Sequence, residues 1–192
     1  GGLSKVEYLA YWGYAASAVT IITAILSPIL GTLADTRNFK KPIFTLCLVV
    51  GVVGCCAMGV AKTWLPFLFI FIFAKVGFSG SLVFYDSMLS DVTTPERMDE
   101  VSSRGYAWGY IGSCVPFVVC LALVLGAGAI GLSQMTALNI SLFITAAWWL
   151  VTTLPLLKNY KQLHYVEVEE HAIRQSFARI GHTVRHLHED KQ

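Results

Sequence analysis

Apolar positions fall into five long runs separated by short polar stretches. The runs lie at about 9–34, 43–61, 64–89, 105–132 and 136–157. The third is interrupted only by Lys75 and Asp86. Each matches the roughly 20 residues a helix needs to cross a hydrocarbon core. None shows the short alternating segments of a membrane barrel. Lipid offers backbone groups no hydrogen-bond partner, so each run must be helical. The links at Lys62-Thr63 and Ser133-Gln134-Met135 are short and force antiparallel neighbours. The pattern predicts an all-α, polytopic membrane bundle of five spans. Beyond it, Ile173, Phe177, Ile180, Val184 and Leu187 recur every three or four residues, predicting an amphipathic helix within 158–192.

Composition agrees with the pattern. Of 192 residues 55% are apolar and 14% charged, and the mean hydropathy is +0.61. A soluble domain carries about 25% charge. An ordinary soluble enzyme, a disordered chain and a nucleic-acid binder are excluded. Cys47, Cys55, Cys56, Cys114 and Cys120 all lie within apolar runs without a Cys-x-x-Cys pair, so they read as small packing residues. No span or loop shows a triad, a metal cluster or a phosphate-handling acid pair, so no enzyme and no cofactor is expected. His182 and His186 share a helical face, with His188 nearby, but nothing completes a ligand set, and no metal is expected.

The distribution of the 14 Lys and Arg sets the orientation. Arg37, Lys40, Lys41, Arg97, Arg104, Lys158, Lys161, Arg174, Arg179, Arg185 and Lys191 fall on one side, against Lys5 and Lys62 on the other. Basic loops stay inside, so the first residue is expected outside and the last in the cytoplasm of a multi-pass cell-membrane protein. Tyr8, Tyr11, Trp12 and Tyr14 suit an aromatic belt at the outer interface. Residues 1–157 then form the transmembrane unit and 158–192 a cytoplasmic linker. The chain opens Gly1-Gly2-Leu3 without Met and reads as a piece of something longer.

Several polar groups are candidates for function. Lys75 lies near the midplane of its span, where a charge is expensive and faces a cavity, a partner or, by snorkelling, the interface. Asp86 lies three turns on, about 16 Å further along the axis, too far to pair with it. Ser17, Thr20, Thr23 and Ser27 share one helical face, which either lines a substrate cavity or packs against a neighbouring helix. Pro28 and Pro116 can kink their helices, and Gly105-x-x-x-Gly109 permits close helix contact. Thr94 and Pro95 predict the start of a short cytoplasmic helix within 90–104. Its Glu96, Asp99 and Glu100 either pair with Arg37, Lys40 and Lys41 as a latch or form a solvated charged loop.

Two motifs extend this reading. Gly31-x-Leu33-Ala34-Asp35, followed by Arg37, Lys40 and Lys41, resembles the signature between the second and third helices of the major facilitator superfamily. Thr36 and Asn38 stand where that signature has a base and a glycine. Phe84-Tyr85-Asp86-Ser87 and Ser102-Ser103-Arg104-Gly105-Tyr106-Ala107-Trp108-Gly109-Tyr110 resemble the branch related to the vacuolar amino-acid effluxers, with Asp86 where Asn is commoner. The resemblance implies helices two to six of a twelve-helix fold, without the first helix and the C-terminal half. It implies secondary transport by alternating access of a small molecule or ion, with amino acids suggested by the vacuolar members. Lys75, the hydroxyl face and Asp86 are then pathway candidates, and Gly31, Asp35, Arg37, Lys40, Lys41 and Arg104 a conformational latch. The implied partners are the lipid bilayer, the missing half and the solute, not nucleic acid. The competing reading is a non-transporting scaffold or signalling module that acts through its cytoplasmic tail.

Overall fold

The structure is a computed structural model and describes residues 4–165. The apolar stripe from Ile173 to Leu187 and the His182, His186 and His188 trio lie outside the described residues. Six helices follow in order: α1 (Lys5–Asp35), α2 (Lys40–Met58), α3 (Trp64–Ser87), the single turn α4 (Leu89–Val92), α5 (Met98–Gly126) and α6 (Gln134–Asn159). All but α4 are long and apolar enough to cross a membrane, and no strand occurs among the described residues.

Local chemistry starts and stops these helices. At the start of α1 the Ser4 hydroxyl accepts the Glu7 N–H at 3.3 Å while the Glu7 carboxylate accepts the Ser4 N–H at 2.6 Å, a reciprocal capping box. Ser133 caps α6 by accepting the Thr136 N–H at 3.1 Å. The turn joining α1 to α2 places Asn38 at φ 63°, a left-handed conformation that Asn tolerates better than most side chains. Asn38 therefore meets by conformation the need that glycine meets in the signature.

The 90–104 segment differs from expectation. Pro95 opens a 3-10 turn, Pro95–Arg97, that runs straight into α5. The charged residues up to Arg104 thus form the first turns of a long helix, not a separate short one. The reason is local: the prolyl φ and the acids Asp99 and Glu100 suit a helix start, and no breaker intervenes before Gly105.

Helix α3 packs against both α1 and α2, α6 lies on α2, and α5 lies on α6. Small residues set the closest approach. A Cβ at Gly77 would lie 2.9 Å from the Cys47 carbonyl oxygen, and one at Gly54 would lie 2.6 Å from the Ala74 Cβ. Without a hydrophobic drive between helices in lipid, such backbone proximity supplies much of the association energy. The Gly105-x-x-x-Gly109 pattern makes no such contact: nothing lies within 4 Å of a Cβ at Gly109, and only the Tyr85 hydroxyl, at 3.9 Å, approaches one at Gly105. Those glycines face a trough between α3 and α5, and α5 has no buried residue.

The two ends of the bundle differ. At one, Tyr8 and Tyr11 of α1 reach Trp64 of α3 with ring centroids 6.3 and 4.9 Å away, and Trp12 stacks on Phe71 at 4.4 Å. At the other, the basic end, Ala34, Phe44, Phe84, Met88 and Tyr160 form a buried apolar cluster.

Candidate functional site

Lys75 stands midway along α3, on the side away from α1. It faces a cavity of about 520 Å³ walled by α2, α3, α5 and α6. The walls are apolar and aromatic, with Phe71, Phe78, Trp108, Trp148 and Trp149 prominent. The Lys75 ammonium rests over the Phe78 ring, 4.5 Å from its centroid, and has no carboxylate partner among the described residues. A cation over an aromatic face gains electrostatic attraction. The chemistry available here is attraction of an anion within an apolar slot.

A second space of about 870 Å³ continues the first toward the basic end. Phe78, Gly109, Ser113 and Trp149 border both. Asp86 and Tyr85 of α3 face it, opposite Tyr106 and Tyr110 of α5. Lys75 and Asp86 therefore border one continuous trough. The hydroxyl face of α1 borders neither space. Ser17 and Thr20 are exposed, the Ser27 hydroxyl donates to the Thr23 carbonyl at 2.8 Å, and the Thr23 hydroxyl is buried without a partner among the described residues.

At the basic end the chain builds an ion pair that sequence reasoning missed. Asp91, in α4, is buried, and one carboxylate oxygen accepts the Lys40 ammonium at 2.9 Å and the Tyr160 hydroxyl. Its other oxygen accepts the backbone N–H groups of Leu163 and His164 at 3.1 and 2.7 Å. Lys40 also donates to the Ser87 carbonyl at 3.1 Å. Burial, then the Asp91 hydrogen bond and charge, raise the Tyr160 phenol well above its ordinary value of 10.0, so it remains a donor. Gln162 adds a second tie. Its carbonyl accepts the Asn38 N–H at 3.0 Å, and its amide donates to the Thr36 carbonyl at 3.1 Å. The segment after α6 is thereby fastened to α2, α4 and the α1–α2 turn.

Of the two alternatives for Glu96, Asp99 and Glu100, the latch with Arg37, Lys40 and Lys41 does not form among the described residues. Glu100 binds Arg104 at 2.9 Å and Arg97 at 3.4 Å along its own helix, and Lys40 is taken by Asp91. The cause is reach: residues one turn apart on α5 meet without crossing the bundle. Asp35 and Lys41 are exposed, Gly31 has open space where a Cβ would stand, and Arg37 lies over the Tyr165 ring at 5.0 Å.

Comparison with known proteins places this arrangement. A family model described as "Vacuole effluxer Atg22 like" matches residues 2–95 and 90–192. The chain belongs to that family. An uncharacterized MFS-type transporter, YxiO, of Bacillus subtilis (strain 168) is 40% identical over 190 residues. The match covers 97% of this chain and 44% of that protein. This Atg22-like chain thus spans under half the length of that relative. No solved structure matches it. An Atg22-like protein with five apolar helices of spanning length is a multi-pass membrane protein of a transporter family.

Proposed function

We propose that the chain contributes the N-terminal half of a secondary transporter, without its first helix, that moves a small organic solute by alternating access. The observation that carries this is the unpaired Lys75 ammonium at mid-span depth, facing a cavity of about 520 Å³. Charges at that depth are costly and mark solute or ion paths. Transporters of this kind bind near the bilayer midplane and rock one bundle against another. The solute class implied by the resemblance is the amino acids. The basic end is cytoplasmic in this reading, and residues 158–192 form the linker to the remaining helices. Gly31, Asp35, Arg37, Lys40, Lys41 and Arg104 belong to the surface that meets the other half in one end state. The non-transporting scaffold has no comparable observation in its favour.

Counterflow in proteoliposomes tests the function. The full-length protein, preloaded with unlabelled solute, is expected to accumulate the labelled solute transiently. Failure to exchange any member of a broad panel of amino acids, organic acids and amines, by protein shown to be inserted, would overturn the proposal.

A further inference from the structure

We propose that the Lys75 cavity is a site for an apolar organic monocarboxylate, which it selects over zwitterions and cations. The inference rests on the transporter reading for its physiological use and departs from the amino-acid class that the resemblance implies, but its geometry is independent of both. Among the described residues Lys75 is the one charged residue that lines the cavity, and no acidic side chain lines it. The nearest acid along the same trough, Asp86, stands about 16 Å away along the α3 axis. One small solute cannot place a carboxylate on Lys75 and an ammonium on Asp86.

The remaining polar groups of the lining are uncharged. The hydroxyls of Ser113, Thr145 and Thr152 each donate to a carbonyl of their own helix at 2.8 Å. With their protons so engaged, these hydroxyls present lone pairs, and Lys75 is the cationic donor of the lining. A carboxylate has several lone pairs with which to accept from the Lys75 ammonium. The space itself is of ordinary ligand size, and its aromatic walls suit a flat apolar body. An amino group on the solute would meet the Lys75 charge with no counter-ion in the lining among the described residues, so a zwitterion is disfavoured and a cation rejected.

The test uses four probes that share the indole body: indole-3-acetate, indole-3-acetamide, tryptophan and tryptamine. Binding to the purified full-length protein is measured by calorimetry. Indole-3-acetate is expected to bind about tenfold or more tighter than either the amide or tryptophan, and tryptamine not to bind. Lys75→Gln should collapse the anion-to-amide ratio to about one, and Lys75→Arg should keep most of it. Because the wild-type ratio is decisive alone, a variant that fails to insert does not blunt the test. Tryptophan binding as tightly as indole-3-acetate would overturn the proposal, as would a ratio unchanged in Lys75→Gln. Counterflow of another solute without indole-3-acetate binding would overturn the site and leave the transporter. Lys75-dependent anion binding without any counterflow would leave the site and overturn the transporter.

Discussion

Asp91 holds together three parts of the chain through hydrogen bonds, and its loss should be felt at once. Asp91→Ala leaves the Lys40 ammonium buried without its counter-ion, and breaking such a pair costs about 3–5 kcal/mol. Unfolding of purified protein in detergent should show that loss, whereas Lys40→Met combined with Asp91→Leu should recover the part owed to the stranded ammonium. It should not recover the part owed to the Tyr160 hydroxyl and the Leu163 and His164 N–H groups, which still lack their acceptor. An equal loss in the single and double variants would show that the pair is not the source. Tyr160→Phe removes one donor to a charged acceptor, worth about 1.5–3 kcal/mol. The phenol is raised in the folded state, so its contribution is complete below the ordinary 10.0 and fades as the pH climbs beyond it. The stability gap between wild type and Tyr160→Phe should therefore be constant below about pH 10 and narrow above it; a gap that narrows already near pH 7 would contradict the assignment. Asp91 was not legible in the sequence because its partners lie 51, 69, 72 and 73 residues away. One signal was present. Lys40 continues the stripe Phe44, Leu48 and Gly51, spaced four, four and three, and a lysine on that stripe must be buried.

At the scale of helices, the apolar runs were legible because membrane spans obey a length rule stronger than any propensity. The pairing of those helices was not, since glycine patterns repeat on faces that meet a neighbour and on faces that do not. Gly77 meets backbone atoms of α2, and Gly109 meets nothing. Gly77→Ala should thus cost roughly 1–3 kcal/mol by overpacking. Gly109→Ala should be neutral or slightly stabilising, by up to about 1 kcal/mol from helix propensity. Unfolding midpoints of the two variants in one detergent separate the cases, and equal midpoints would contradict the α2–α3 packing. The segment before α5 shows the same limit. Its cap residues were readable at Thr94 and Pro95, but the absence of a stop before Gly105 decided that the turn continues into a long helix.

For the whole molecule, the trough from Lys75 to Asp86 is the feature on which the proposed transport rests. The charge of Lys75 at mid-span was readable from its position, and Phe71 and Phe78 stand on its own helix, whereas the tryptophans around it come from α5 and α6 and needed the fold. The hydroxyl stripe of α1 has a clear period, but the period alone does not say which neighbour it faces, and the trough opens elsewhere. Asp35 is exposed at the basic end, where the remaining half would dock in the proposed transporter. Asp35→Asn should lower exchange about fivefold or more, the effect of losing about 1–3 kcal/mol of coupling between end states, with insertion unchanged. Unaltered exchange would remove Asp35 from the latch. The central claim is that solute passes Lys75. Counterflow of a solute by full-length wild type and Lys75→Gln, at matched amounts of inserted protein, tests it most directly. Exchange reduced at least about tenfold in Lys75→Gln, a loss of about 1.4 kcal/mol or more, is the predicted result; exchange equal to wild type would contradict it.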